Sequence, residues 1–161
     1  MKKELTEAEM RCKAEAFCIQ AERCMADVKA KLDTWGADET TAESIMTHLK
    51  KERYVDHARF CAAFVRDKYR FNQWGRIKIR QALRLKGIPA DLIATGLEEI
   101  DEQEYLSILS NLIRQKKKSV KARSEYEQNA KLIRFAVSRG FELEDIFRFL
   151  KQPDCHEDFT D

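Results

Sequence analysis

Three glycines, Gly36, Gly87 and Gly140, stand 51 and 53 residues apart, and each closes a stretch with helical periodicity. The stretches 28–36, 79–87 and 132–140 align on these glycines. In each, glycine sits where a helix ends in a left-handed residue, the place where it costs least. A longer amphipathic segment precedes each stretch (7–20, 56–70 and 102–118), and a short one follows it (40–49, 89–99 and 142–150). Apolar residues inside these segments recur at three- and four-residue spacing, as in Ile45, Met46 and Leu49, or Leu106, Leu109 and Ile113. The pattern predicts an all-α chain of three tandem three-helix repeats. Three helices of this size bury only a small core, so each repeat must lean on its neighbour, which favours an elongated, curved array. The expected modules are 1–55, 56–100 and 101–152, with 153–161 as an acidic tail expected to be disordered.

Two prolines and five glycines in 161 residues leave few breaks in this helical reading. No apolar run approaches the roughly 20 residues that span a bilayer, and the N-terminus lacks the apolar stretch of a signal peptide. A cytoplasmic chain with no membrane partner is expected, and a monomer. The five cysteines, 12, 18, 24, 61 and 155, are odd in number and show no CxxC pair. That argues for reduced structural thiols rather than a disulfide framework or a zinc knuckle.

Charge is unevenly distributed. Residues 1–55 carry ten bases and eleven acids, and 101–161 carry eleven and twelve, whereas 56–100 carry nine bases and five acids. Between Arg66 and Lys86 stand Arg66, Lys68, Arg70, Arg76, Lys78, Arg80, Arg84 and Lys86 against Asp67 alone, in a chain of net charge +2. A local excess of this size attracts polyanions or acidic protein grooves.

At 100° per residue, Arg76, Arg80 and Arg84 form a stripe beside the apolar face of Ile79, Ala82 and Leu83. Like charges at this spacing repel by a few tenths of a kcal/mol each. A stripe with no interleaved carboxylate therefore favours a binding role. Tyr69, Phe71 and Trp74 precede the helix and either pack in the core or face a partner. Trp74 is the candidate interface anchor, because tryptophan and arginine are enriched at binding hot spots. A second basic run, Arg114 to Arg123, adds Lys116, Lys117, Lys118, Lys121 and Arg123. These cations complement a helix C-terminus or touch nucleic acid or an acidic partner.

Catalytic signals are missing from the sequence. There is no phosphate-cradling loop, dinucleotide fingerprint, zinc-protease helix or nucleophile elbow. His57 and Cys61 share a helical face, but no second pair completes a metal site. No catalytic residue, metal or cofactor is assigned, and a non-enzymatic role is expected.

With the repeats and the basic helix placed, the chain resembles the RecX family of bacterial regulators of the RecA recombinase. The central match is Trp74-Gly-Arg-Ile-Lys-Ile-Arg-Gln-Ala-Leu-Arg-Leu-Lys-Gly-Ile88. It is similar to the family's aromatic-Gly-Pro-x-basic-Ile-x-x-Glu-Leu-x-x-Lys-Gly-Ile signature. Arg134–Phe141 with Glu144–Ile146 resembles the family's last helix pair, and Tyr54–Phe60 its inter-repeat junction. Arg53 stands at the usual glycine of that junction, Arg76 at the usual proline, and Ala82 at the usual glutamate. The resemblance implies three repeats in a curved rod lying in the groove of the RecA–single-stranded-DNA filament. It also implies inhibition of the filament's ATPase, strand-exchange and co-protease activities, in DNA repair and the SOS response. The alternative is an array of helix-turn-helix-like modules binding DNA directly, with single-stranded DNA a weak partner in either case.

Overall fold

A computed structural model describes residues 4–152. The acidic-tail reading of 153–161, with Cys155, lies outside the described residues. Among the described residues all regular structure is helical, in nine helices that form three consecutive triplets. The first triplet is α1 (Glu7–Gln20), α2 (Met25–Thr34) and α3 (Glu39–Lys51). The second is α4 (His57–Arg70), α5 (Arg76–Leu85) and α6 (Ala90–Leu97). The third is α7 (Glu102–Lys117), α8 (Glu125–Ser138) and α9 (Leu143–Ile146). The expected last helix, 142–150, is shorter than the periodicity predicts. After Ile146 the chain turns rather than continuing as helix. No helix among the described residues is long and apolar enough to cross a membrane.

Local chemistry explains where the helices begin. Thr6 and Glu9 form a reciprocal capping box on α1, and Asp38, Asp101 and Ser124 accept backbone N–H groups at the starts of α3, α7 and α8. The ends are equally regular. At α2, α5 and α8 the glycine N–H and the next residue's N–H bond back to the closing turn, as in Gly140 to Val137 (2.9 Å) and Phe141 to Ala136 (3.2 Å). Helix α3 ends the same way, with Arg53 N–H on Lys50 and Tyr54 N–H on Leu49. Its left-handed residue is Arg53, at φ 60°. The arginine that replaces the family's junction glycine therefore adopts the backbone a glycine would supply.

The chain forms two compact units, Met1–Phe64 with Ala82–Glu99, and Val65–Gln81 with Ile100–Asp161. In the first, α1, α2 and α3 pack together around Met10, Cys18, Leu32, Ile45 and Leu49. His57 Nε2 accepts the Met25 N–H at 3.2 Å, satisfying a free amide at the start of α2. Cys18, Cys24 and Cys61 are buried, as expected of small apolar side chains, whereas Cys12 is exposed.

In the second unit α7 packs on α8, and α8 on α9. Tyr105, Leu109, Leu132, Phe141 and Ile146 are fully buried there. Gly75 lies against the backbone of Gly140, and a Cβ on Gly75 would sit 2.2 Å from the Gly140 carbonyl carbon. Gly140 itself has φ +94°, and a Cβ there would sit 2.4 Å from that of Lys78. The Gly75 N–H donates to the Arg139 carbonyl (2.7 Å) and the Ile77 N–H to that of Gly140 (3.0 Å). The end of α8 thus receives the first amides of α5, and neither glycine has room for a side chain.

Candidate partner-binding surface

The basic residues between Arg66 and Lys86 divide by what they touch. Arg76 is well enclosed, its side chain 18% exposed. Its guanidinium reaches three carboxylates: Glu102, Glu142 Oε2 at 2.9 Å and Asp145 Oδ2 at 3.6 Å. It also lies 4.0 Å from the centroid of the Tyr105 ring. The Arg76 N–H donates to the Tyr105 hydroxyl (2.9 Å), which donates in turn to Glu142 Oε1 (2.5 Å).

Burial alone would lower the Arg76 pKa, but the hydrogen bonds it donates to Glu142 and Glu102 outweigh it and hold the group above its ordinary value. Burial and the neighbouring Glu142 push the Tyr105 phenol up. Burial, with Glu142 and Glu102 beside it, raises the Asp145 carboxyl. The sequence reading of an uncompensated arginine stripe therefore fails at Arg76. The missing carboxylates are supplied by α7 and by the start of α9, where helix periodicity does not reveal them.

Two further cations are paired. Arg70 grips Glu104 through Nε (2.6 Å) and Nη2 (3.3 Å), and that contact raises its pKa. Lys86 Nζ lies 2.9 Å from Asp27 Oδ1, which raises the lysine in the same way. Lys68 and Lys78 bring their ammoniums to 4.7 and 4.5 Å from the centroid of the half-buried Trp74 ring. Among the described residues Arg66, Arg80 and Arg84 close no ion pair. Arg66 and Arg84 are exposed and Arg80 is half-buried. Arg80 and Arg84, one turn apart on the single helix α5, keep the character expected of the stripe.

The second run is mixed. Lys116 covers Phe135 at 4.8 Å, while Lys117 and Lys118 are exposed at the end of α7. Lys121 and Arg123 are exposed, and their backbones tie the loop to α8: the Lys121 carbonyl accepts from Lys131, and the Arg123 N–H donates to Glu127.

The aromatic trio also separates. Tyr69 is core, Trp74 is half-buried, and Phe71 is 79% exposed. No group of three or more His, Cys, Asp or Glu side chains among the described residues could hold a metal ion.

Comparison with known families accounts for this layout. One model, the second three-helix domain of RecX, matches residues 56–97, and another, the third three-helix domain of RecX, matches 102–150. Together they take in more than half of the chain. The chain belongs to the RecX family. It is 26% identical over 147 residues to a regulatory protein RecX from Clostridium beijerinckii, covering 89% of this chain and 68% of the relative. It is 28% identical over 140 residues to a regulatory protein RecX from Geobacillus kaustophilus, covering 87% and 52%. The chain spans between about half and about two thirds of the length of such curated relatives. A crystal structure of regulatory protein RecX superposes with a TM-score of 0.77 at 21% identity, over 90% of this chain and 73% of that one. The last likeness speaks for the fold. The RecX relatives share a name that denotes regulation.

Proposed function

We propose that this RecX-family chain is a non-enzymatic regulator that binds the RecA–single-stranded-DNA filament and inhibits its ATPase, strand-exchange and co-protease activities. In this reading the protein works as a monomer in the cytoplasm, through three modules at 1–55, 56–100 and 101–152. The observation that carries it is α5. This helix lies in the family's second domain, and its Arg80 and Arg84 have no carboxylate partner among the described residues. Unpaired guanidiniums on a folded helix retain their full capacity for carboxylates and phosphates. Arg66, Lys78 and the exposed cations of the 116–123 run extend the same surface character. Arg76, Arg70 and Lys86 support the scaffold instead, through Glu142, Glu104 and Asp27.

The test is DNA-dependent ATP hydrolysis by the host recombinase on single-stranded DNA, titrated with this protein. Sub-stoichiometric protein should slow hydrolysis, and the Arg80→Ala/Arg84→Ala double variant should need roughly tenfold more for the same effect. That corresponds to losing about 0.7 kcal/mol per charged contact, within the usual range for partly exposed pairs. Hydrolysis unchanged across a wide titration of the wild-type protein would sink the reading.

A further inference from the structure

The loop between α4 and α5 holds a large apolar ring in water and keeps it there. Phe71 is 79% exposed. The chain beside it has little freedom to fold the ring away. The Phe71 N–H donates to the Asp67 carbonyl (2.9 Å) and the Trp74 N–H to that of Lys68 (3.0 Å). The Arg139 guanidinium donates to the carbonyls of Asn72 and Gln73. Gln73 takes a left-handed backbone at φ 57°, and Gly75 is locked against Gly140. An exposed ring on a pinned loop is preorganised for a flat partner.

The sequence around it is predominantly basic. From Arg66 to Arg80 the sequence has one acid, Asp67. Arg70 is cancelled by Glu104, while Arg66, Lys78, Arg80 and Arg139 close no ion pair among the described residues. Trp74 gathers the Lys68 and Lys78 ammoniums within about 9 Å of each other, inside one Debye length. The indole face attracts both cations and so offsets part of their mutual repulsion.

We infer that this loop is a stacking platform for single-stranded nucleic acid. A base lies on the Phe71 ring, and a flanking phosphate is held by Lys78, whose ammonium sits over the Trp74 ring. A flat aromatic face beside a basic track is the common device for binding single strands without sequence preference. A surface of carboxylates alone would pair with Lys78 but would offer the ring nothing to stack on. The platform rests on the filament reading only for the setting in which a single strand is met. The contact itself belongs to this chain alone.

The experiment uses the full chain without recombinase. Binding to fluorescein-labelled oligo(dT) of about 20 nucleotides is followed by anisotropy at about 50 mM KCl and above. Phe71→Ala should weaken binding about tenfold, the lower part of the range for one stacked base, with an unchanged thermal melt. Phe71→Tyr should bind within about twofold of the wild type, since the stacking face is kept. Lys78→Gln should reduce the salt slope by about 0.7, the value for one phosphate contact on a single strand.

Three results would each overturn the platform: no oligonucleotide binding by the wild type, Phe71→Ala binding like the wild type, or Phe71→Leu binding like the wild type. Phe71→Ala that keeps oligonucleotide affinity but loses recombinase inhibition also overturns it, and assigns the ring to a protein face. Oligonucleotide binding that depends on Phe71, with no wild-type effect on recombinase ATPase, supports the platform and refutes the filament reading.

Discussion

Replacing Arg76 by methionine keeps most of the side chain's length and removes its charge from among Glu102, Glu142 and Asp145. Removing one partner from a buried ion pair costs about 3–5 kcal/mol, because the charges left behind are stranded. Glu102 is 56% exposed, so water screens part of that cost here. A loss of about 2 kcal/mol follows, or about 4–8 °C in Tm for a chain of this size. Arg80→Met, one turn along the same helix and without an ion partner, is the control, and should stay within about 0.5 kcal/mol of the wild type.

The Arg76 effect should also depend on pH. Asp145 is raised in the folded protein, so it costs stability wherever it is ionised: fully above its folded pKa, and not at all below its unfolded one. Arg76 is one of the cations that hold this rise down, and its loss enlarges the penalty. Urea melts should therefore show the widest gap between variant and wild type near pH 7.5, narrowing as pH falls towards the ordinary carboxylate range. If Arg76→Met were as stable as Arg80→Met at both ends of that range, the structural assignment of Arg76 would be refuted. Lost recombinase inhibition with intact stability would return Arg76 to the contact surface.

Gly75→Ala should destabilise by about 3 kcal/mol in thermal melts, because backbone atoms of Gly140 occupy the space and cannot rotate away. Gly36→Ala, with open space but φ +86°, should cost only about 1 kcal/mol; equal losses at the two sites would contradict the clash argument. Arg53→Gly should stabilise relative to Arg53→Ala by about 1 kcal/mol, since both lose the exposed Asp56 contact but only glycine relieves the left-handed backbone. In a Cys155→Ser background, Cys12 should react with a disulfide-exchange reagent in the folded protein. Cys18, Cys24 and Cys61, whose thiols burial pushes up, should react only after denaturation, and early titration of all four would show that the core is open.

The helices were legible because their signals are local. Apolar spacing, capping side chains and the glycines at 36, 87 and 140 all act within one or two turns, and periodicity sees that range. The last helix departs from its periodicity for the same reason: Phe147 to Leu150 keep helical spacing, but the chain turns after Ile146. Site chemistry is not local. Arg76 is 66 positions from Glu142, and Lys86 is 59 from Asp27, so a helical wheel shows the cations without the acids that quench them. Phe71 gave no signal apart from Tyr69 and Trp74, because all three are aromatic residues at a helix boundary. What separates them is the loop held by Arg139 and Gly140, two residues that sequence proximity does not connect to it.

The hydrogen bonds that join Gly75 and Ile77 to Arg139 and Gly140 also set an order of events during synthesis. The amides of Gly75 and the carbonyl of Arg139 are 64 positions apart. At about 5–20 residues per second, the ribosome needs several seconds to supply the second after the first. During that interval α5 lacks its receiving carbonyls, and Arg76 lacks both Glu142 and Asp145. A nascent chain stopped short of Glu142 carries every cation of the basic segment and fewer of the carboxylates that tame it. The finished protein is thus less sticky towards polyanions than its own unfinished form, and truncation after the second triplet would expose charge rather than isolate a working module.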